Sequence, residues 1–280
     1  MGLGGYLTWT AVSRELVKHG KAKKIFPCEI HNGKLKIVNS DIWKNNPYIT
    51  TDYSECERGD AFLLKFNNPD ISYCKLDTPL HCVHRDDKHC IKQMCEYYGI
   101  DDPELRCEIY FTDEEKKNIE RITTNLADEF VVIEPHSKKE YTPNKEYSFE
   151  KWQNIVNIIS KHIQVVQVGN KKERILENVY DLVGRTTFRE AAGIIDNSCL
   201  FTSTEGGLAH AATATSTKSL IVMTGFTNQV LWAYPQNINV FIGKHGPCGL
   251  KVCCKKCLKD VQEHDEQEIV NLVMRHLEER

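Results

Sequence analysis

Residues 199–226 read CLFTSTEGGLAHAATATSTKSLIVMTGF and predict a strand, a glycine turn, a helix and a second strand. Cys199 to Thr202 is a short apolar run, and Glu205-Gly206-Gly207 interrupts it. Leu208 to Thr215 is rich in Ala, as expected of a tightly packed crossover helix, and Leu220 to Met223 is typical of a buried parallel strand. This stretch therefore predicts a βαβ unit within a parallel sheet.

The glycine turn at Gly206 and Gly207 has two interpretations. Glycines allow a ligand to approach the backbone, and the first turn of the following helix offers unpaired N–H groups and the positive end of the helix dipole. A diphosphate group suits both features. The alternative is an ordinary crossover in which the glycines only make the turn, since a glycine-rich turn alone is a weak signal.

The residues around the turn favour the first interpretation. Residues 205–212 read EGGLAHAA, Leu220 to Gly225 follows, and Tyr234-Pro235 comes next. This pattern resembles the donor-binding segment of glycosyltransferase family 9, which includes the lipopolysaccharide heptosyltransferases. In that family an acidic residue, a Gly turn, a His and an Ala-rich helix meet the nucleotide diphosphate-sugar. The resemblance implies donor contacts from Glu205, Gly206, Gly207, Leu208 and His210, although the family acid is typically Asp rather than Glu.

The first 20 residues predict a glycine loop that runs into an amphipathic helix closed by Gly20. Such a loop normally follows a strand, and no residues precede it here, so we expect the N-terminal domain to lack its first strand. The loop resembles the Gly-x-Gly-Asp opening of the same family, with Gly2 and Gly4 at the glycine positions. Gly5 stands where the family carries its catalytic Asp. The resemblance implies that Gly4 and Gly5 border the donor, and it leaves the catalytic base unassigned.

Two further segments carry the resemblance into the middle of the chain. Lys145 matches the Lys of a Lys-x-Trp-Pro element that pairs with donor phosphate, with Tyr147 and Ser148 in place of the Trp and Pro. Glu173, four residues after Gly169, matches the Glu of a Gly-x-x-x-Glu element that contacts ribose or sugar hydroxyls. A carboxylate suits that role because it accepts several hydrogen bonds. Taken alone, Lys145 would be expected in solvent and Glu173 at an exposed helix start.

The 12 cysteines include a late cluster with the spacing C-x4-C-C-x2-C. Thiolates are preferred ligands of zinc and iron. A cysteine-bearing loop at this place also resembles the family, in which some bacterial autotransporter heptosyltransferases hold iron. The sequence therefore predicts a structural zinc or iron ion, and no cofactor for catalysis, with the ligands Cys248, Cys253, Cys254 and Cys257. Adjacent cysteines point in different directions, so reduced thiols that pack the loop are the alternative.

A second group of metal-binding residue types lies earlier in the chain, at His81, Cys82, His84, His89 and Cys90. Their spacing does not match a tight chelate. We interpret residues 81–98 as a half-buried helix instead.

Composition excludes several classes of protein. The 280 residues are 41% hydrophobic and 27% charged, with a net charge of -3, which does not favour nucleic-acid binding. No apolar run approaches the roughly 18 residues that span a bilayer, and no signal peptide precedes the fold. Without a secretory signal, the scattered cysteines are expected to be reduced thiols. We therefore expect a cytoplasmic protein with at most peripheral contact with the inner face of a membrane.

The alternation of strands and helices from Phe130 onward predicts a doubly wound parallel domain. Earlier segments predict strands at 24–29, 35–38, 61–66 and 105–111. A capping box at Thr112 to Glu115 starts a charged helix that runs to about Leu126. The expected fold is α/β with two Rossmann-like domains that face a cleft, the GT-B arrangement. We place the acceptor-side domain at residues 1–126 and the nucleotide-sugar-binding domain at residues 127–280.

The function implied by the resemblance is transfer of a heptose or hexose from a nucleotide diphosphate-sugar to an acceptor hydroxyl, with inversion and without a catalytic metal. The acceptor is a glycan, a lipid-linked sugar or a protein, as in lipopolysaccharide or glycan biosynthesis. A catalytically degenerate nucleotide-sugar-binding protein is the main alternative, because Gly5 replaces the catalytic Asp. A metal-binding interaction module built on the late cysteines also stays open. A dinucleotide-dependent oxidoreductase is disfavoured, since no Gly-x-Gly-x-x-Gly follows a strand.

Overall fold

The computed structural model of the chain describes residues 2–280. Residues up to 126 are called the first half below, and residues from 127 onward the second half. The elements of the first half are α1 (Leu3–Lys18), β1 (Lys24–His31), β2 (Lys34–Ile37), α2 (Tyr53–Glu57), β3 (Ala61–Lys65), β4 (Cys74–Asp77), β5 (Cys82–His84), α3 (Cys90–Glu96) and α4 (Asp113–Thr123). Those of the second half are β6 (Phe130–Glu134), α5 (Phe149–Ile159), β7 (Gln164–Gln167), β8 (Tyr180–Asp181), α6 (Phe188–Asp196), β9 (Leu200–Thr204), α7 (Gly207–Ala212), β10 (Ser219–Met223), β11 (Ile238–Phe241), α8 (Lys255–Glu263) and α9 (Gln267–Glu278).

The second half is built on a six-stranded sheet with the order β11-β10-β9-β6-β7-β8. Every pairing in this sheet is parallel. The buried strands β6, β9 and β10 form its centre, and the chain winds outward from β6 in both directions. This confirms the predicted α/β class and the βαβ unit of residues 199–226.

The first half has smaller sheets. β1 pairs antiparallel with β2 and parallel with β3 in a three-stranded sheet. β4 and β5 form a separate antiparallel pair. The outer edge of β5 meets the late cysteine-bearing segment, where His81 forms a bridge with Leu250 and Cys82 N–H donates to the Gly249 carbonyl over 2.8 Å. The pair β4–β5 therefore joins the first half to the cysteine loop.

Helix starts follow the local sequence signals. Thr112 and Glu115 form the predicted capping box at the start of α4, and Thr187 and Glu190 form a second one at α6. Ser148 caps α5 by accepting a hydrogen bond from Lys151 N–H.

The two halves share one buried apolar cluster. It contains Leu7 and Trp9 from α1 together with Phe130, Val132 and Phe201 from the large sheet. The helix α1 packs on α7, and α4 packs on α6. A domain boundary at residues 126–127 stays a prediction, since the core does not divide there.

The predicted N-terminal glycine loop is wrong. The helix α1 begins at Leu3, so Gly4 and Gly5 lie in its first turn. Tyr6 N–H donates to the Gly2 carbonyl over 3.2 Å, which closes that turn. The predicted helix end is correct, because Gly20 follows α1 in the left-handed conformation with φ 67°.

The predicted helix over residues 81–98 is also wrong in its first half. Residues 82–84 form β5, because their backbone groups pair with β4 and with the segment at Gly249. A shorter helix, α3, begins after His89, whose Nδ1 accepts a hydrogen bond from Ile91 N–H and caps it. The five His and Cys side chains of this stretch do not form a metal cluster in the described chain.

Residues 105–111 have no regular secondary structure, so the predicted strand there is wrong. Side chains, rather than a neighbouring strand, form hydrogen bonds with the backbone of this segment. Thr213 Oγ1 accepts from Cys107 N–H, Thr10 Oγ1 accepts from Glu108 N–H, and Arg189 donates to the Tyr110 carbonyl. The segment is therefore fixed between α1, α7 and α6 without joining a sheet.

Among residues 2–280, no helix is both long enough and apolar enough to cross a membrane.

Candidate functional site

The large sheet reverses its winding between β6 and β9, which are neighbours. In open parallel sheets, ligands bind at the carboxyl ends of the strands at such a switch point. Glu134 is the last residue of β6, and Glu205 follows the last residue of β9. The sheet thus brings two acidic side chains and the glycine turn of residues 206–207 to one edge.

Lys145 and Glu205, both predicted from sequence, form an ion pair at this edge. Lys145 ends a short 3-10 helix (Pro143–Lys145), and its Nζ lies 2.5 Å from Glu205 Oε2. The ammonium is surrounded by aromatic rings, with centroids at 5.9 Å for Tyr141, 5.4 Å for Phe226 and 5.7 Å for Trp232. These rings hold the lysine in place without adding charge. Lys145 is therefore a prepositioned cation beside the glycine turn.

His210 lies behind this ion pair in α7. Its Nδ1 is 2.7 Å from the Tyr234 hydroxyl, and its Nε2 is 3.8 Å from Glu205 Oε1. Burial, together with the charge of Lys145, lowers the pKa of His210 to about 4, so the ring is neutral at physiological pH. A neutral ring can donate one hydrogen bond and accept another. His210 therefore orients its neighbours rather than adding positive charge.

Two glycines of the site lie where helices pack closely, Gly4 between α1 and α7 and Gly207 between α7 and α6. A Cβ at Gly4 would lie 2.8 Å from His210 Cδ2, and one at Gly207 would lie 3.2 Å from Phe188 Cε2. Leu208 points into the core, where it is buried. A donor-binding role for Gly4, Gly5, Gly206, Gly207 and Leu208 stays a prediction.

Glu173, the predicted ligand of donor hydroxyls, follows β7 and folds over Gly169. A Cβ at Gly169 would lie 2.0 Å from Glu173 Oε2, so only glycine fits beneath the carboxylate. That buried oxygen has no hydrogen-bond partner within residues 2–280, and burial raises the pKa of Glu173. An unsatisfied acceptor of this kind is suited to a hydroxyl donor from a ligand.

Sequence reasoning missed Glu134. Its Oε2 lies 3.9 Å from the position that a Cβ of Gly206 would take, which places the carboxyl group beside the glycine turn. Burial and the nearby carboxylates of Glu173 and Glu146 raise the pKa of Glu134 to about 8. The sequence does contain a signal for Glu134. It is a polar residue at the end of the first buried strand of a doubly wound domain, and such a position lies at the ligand-binding edge of the sheet.

A small cavity opens beside the ion pair. Its volume is about 10 Å³, the size of a single water. The lining consists of Lys145, Glu205, Met223, Thr224, Phe226, Thr227, Gln229 and Trp232. A nucleotide-sized ligand needs several hundred Å³, so this cavity in its present shape does not hold one.

Three of the four late cysteines converge. The sulfur atoms of Cys248, Cys254 and Cys257 lie within 4.8 Å of one another, and the Cys248–Cys257 separation is 3.4 Å. A hydrogen bond from Cys257 lowers the pKa of Cys248 to about 6, which favours its thiolate. A metal with sulfur ligands at about 2.3 Å places tetrahedral sulfurs roughly 3.8 Å apart, so this group can hold a metal ion. Cys253 is exposed and lies outside the group.

A parallel sheet with a cation and a glycine turn at its switch point is typical of α/β proteins that bind a ligand at that edge. The sequence model of glycosyltransferase family 9 (heptosyltransferase) matches residues 81–262. This match covers more than half of the chain, which therefore belongs to glycosyltransferase family 9. No curated protein matches the sequence significantly.

Solved structures show the same GT-B fold at low sequence identity. A family 9 glycosyltransferase from Veillonella parvula DSM 2008 is 12% identical with a TM-score of 0.57, over 71% of this chain and 62% of that one. The iron-containing dodecameric glycosyltransferase TibC from enterotoxigenic E. coli H10407 is 14% identical with a TM-score of 0.59, over 95% of this chain and 65% of that one.

A second TibC structure, in complex with ADP-D-β-D-heptose, has a TM-score of 0.63 to this chain. The sequence identity is 12%, over 100% of this chain and 75% of that one. This chain covers 62% of the Veillonella protein and 65% of the TibC chain in the first of the two TibC structures, which is less than two thirds of each.

Proposed function

We propose that this chain binds a nucleotide diphosphate-sugar at the switch point of its large sheet and transfers the sugar to an acceptor hydroxyl. The observation that carries the proposal is the convergence of Lys145, Glu205 and the glycine turn at that edge, in a chain of glycosyltransferase family 9. Lys145 would exchange its ion pair with Glu205 for the donor diphosphate. Glu173, with its unsatisfied oxygen, would accept a ribose or sugar hydroxyl.

The transfer would proceed by one displacement. The acceptor oxygen forms a bond to the anomeric carbon while the bond from that carbon to the diphosphate oxygen breaks, which inverts the configuration. Lys145 and backbone N–H groups at residues 206–208 would stabilise the departing diphosphate without a catalytic metal. Glu134, protonated near neutral pH, would add no negative charge to oppose it.

The acceptor proton needs a base, and His84 of β5 is the candidate. Its ring lies 6.4 Å from that of Trp232, which lines the cavity beside Lys145. Burial and the charge of Lys145 lower the pKa of His84 to about 4, so the ring is neutral and free to accept a proton. A bound diphosphate would offset the charge of Lys145 and raise that pKa toward neutrality.

The proposal is tested by thermal-shift and calorimetric binding of ADP, GDP and UDP and their sugars, including ADP-D-β-D-heptose. Lys145→Ala should weaken binding roughly ten- to hundredfold, the loss of one charge-assisted hydrogen bond. The exposed Lys172→Ala serves as the control. If the wild-type chain binds none of these nucleotides, the proposed function is wrong.

A catalytically degenerate donor-binding protein is the second candidate, and Gly5 favours it. Release of nucleoside diphosphate from the best-binding donor, followed by mass spectrometry, separates the two. His84→Asn should abolish release and leave donor affinity unchanged if the chain is an enzyme. Binding without release, restored by Gly5→Asp, would instead identify a degenerate site.

We also propose that the cysteine group binds a structural zinc or iron ion through Cys248, Cys254 and Cys257. The short sulfur separations and the favoured thiolate of Cys248 support it. The fourth ligand of a tetrahedral site would come from outside this group of three.

A further inference from the structure

Asn144 lies between the proposed donor site and the cysteine loop, which is defined here as residues 248–257. The residue is buried, and it directly precedes Lys145. Its side-chain Nδ2 donates to the Leu250 carbonyl over 2.7 Å and to the Val252 carbonyl over 2.8 Å. Its Oδ1 accepts from Cys254 N–H over 2.8 Å. One amide therefore fixes the backbone of the cysteine loop at three points.

The backbone of Asn144 is fixed on the other side. Its carbonyl accepts a hydrogen bond of 2.6 Å from Thr224 Oγ1, and Thr224 lines the cavity with Lys145. Its N–H donates to Thr142 Oγ1, which in turn donates to the Leu250 carbonyl over 2.8 Å. The short helix that carries Lys145 is thus held between the end of β10 and the cysteine loop.

The loss of any one of these hydrogen bonds leaves a buried polar group without its partner, which destabilises the structure. Both N–H groups and the oxygen of the Asn144 amide are used within a buried site. If the cysteine loop moves away, these groups and their backbone partners lose their hydrogen bonds without water to replace them. The docked loop and the position of Lys145 are therefore favoured together.

We infer that Asn144 couples the cysteine loop to the donor site as a positioning residue, so that nucleotide binding and the docking of this loop strengthen each other. The inference rests on the proposed function. Coupling between two sites is reciprocal. A bound nucleoside diphosphate must therefore protect the loop, and a loosened loop must lower nucleotide affinity by the same factor.

The experiment measures both directions with the whole protein. The probe is whichever of ADP, GDP and UDP binds most tightly to the wild type. Loop opening is read from the rate at which N-ethylmaleimide alkylates Cys82, which is buried, lies outside the proposed metal site and donates to the Gly249 carbonyl of the loop, followed by peptide mass spectrometry. Saturating nucleotide should slow this alkylation about tenfold in the wild type.

Asn144→Asp keeps the shape of the side chain but removes both N–H donors. It should lower nucleotide affinity about tenfold and abolish the protection of Cys82. Thr142→Val removes the hydrogen bond to the Leu250 carbonyl and the one from Asn144 N–H but leaves the Asn144 amide in place. It should give a smaller loss of both and guards against a misfolded Asn144→Asp protein. The exposed Asn125→Asp should change neither.

The outcomes are separable. Wild-type protein that binds a nucleotide without protecting Cys82, or Asn144→Asp protein that keeps both affinity and protection, overturns the coupling and leaves the proposed function standing. Absence of nucleotide binding by the wild type overturns both. Lys145→Ala should lose affinity while the alkylation rate without nucleotide stays at the wild-type value, because Asn144 still holds the loop.

Discussion

The ion pair between Lys145 and Glu205 gives the proposed donor site a cation whose charge is balanced within the protein. The two side chains are 17% and 10% exposed. An unpaired ammonium at that depth would lose much of its solvation, whereas a paired one retains a partner until an anionic ligand arrives. The aromatic rings around the nitrogen limit where it can move. Glu205 therefore takes the place that a donor phosphate would occupy beside Lys145.

Glu134 should make the stability of the protein depend on pH in the direction opposite to most carboxylates. Its folded pKa of about 8 lies above an unfolded value of about 4.3. Between these values the folded state binds a proton that the unfolded state has released, so stability falls as pH rises. Glu134→Gln should therefore stabilise the protein, with a gain that grows from pH 5 to pH 8 in urea denaturation series.

The exposed Glu140→Gln is the matched control for Glu134 and should show no such trend. A gain for Glu134→Gln that does not vary with pH would show that the carboxyl group is ionised in the folded protein.

The convergence of three cysteines predicts different effects for substitutions of the adjacent residues Cys253 and Cys254. Protein purified without a His-tag should contain about one zinc or iron per chain, measured by elemental analysis, because three thiolates converge. Cys254→Ser should lose the metal and lower the melting temperature. Cys253→Ser should keep both, since Cys253 is exposed and outside the group. Metal-free wild-type protein with titratable thiols in this loop would contradict the site.

At the level of elements, the contact between α1 and α7 depends on Gly4. Gly4→Val should destabilise the protein by about 1–3 kcal/mol, because the added side chain overlaps the buried ring of His210. Gly2→Val is the control, since a Cβ at Gly2 meets no atom within 4 Å. Urea denaturation measures both. Equal stability of the two variants would mean that α1 does not pack on α7 in solution.

The elements of the second half could be predicted from sequence because their signals are local. Strands such as Phe130–Glu134 are continuous apolar runs, and Ser148, Thr187 and Glu190 mark helix starts through neighbours three residues away. The resemblance to a known family is enough to predict that Lys145 and Glu205 belong to one site. Their direct pairing, however, depends on two loops that are 60 residues apart in the chain.

The wrong predictions fall where distant partners decide the conformation. Cys82 and its neighbours form a strand because Gly249 offers a backbone partner, and the local sequence does not encode that partner. Residues 105–111 have the apolar pattern of a strand, but Thr10, Thr213 and Arg189 satisfy their backbone groups. The glycines at the start of α1 have the pattern of a loop, but they lie at the start of a helix, where the small size of Gly4 allows packing against α7.

At the scale of the whole molecule, the buried Arg189 connects the second half to the first half through hydrogen bonds and an ion pair. The Arg189 guanidinium of α6 contacts both carboxylate oxygens of Glu115, the Tyr110 carbonyl and the Ile42 carbonyl, all in the first half. Burial alone would raise the pKa of Glu115, but the hydrogen bonds from Arg189 and Thr112 lower it to about 2. This contact therefore stabilises the fold above the unfolded pKa and is lost as pH falls toward 2.

Arg189→Met should cost about 3–5 kcal/mol, because it leaves the Glu115 carboxylate and two carbonyls without their partner. Arg185→Met removes an exposed ion pair with Asp181 and should cost less than about 1 kcal/mol. Urea denaturation at pH 7 compares the two. Similar small losses would mean that the halves are held by the apolar core alone.

The packing of α1 against α7 also constrains how the protein is made. The apolar face of α1 leaves the ribosome first, and its partner α7 follows roughly 200 residues later. At synthesis rates of about 5–20 residues per second, that interval is on the order of 10–40 s. During it, Leu7 and Trp9 have no second-half surface to cover them. The nascent chain therefore carries the side of α1 that faces α7 without this partner until residues 199–226 have emerged, while first-half residues such as Phe66 can already pack on Trp9.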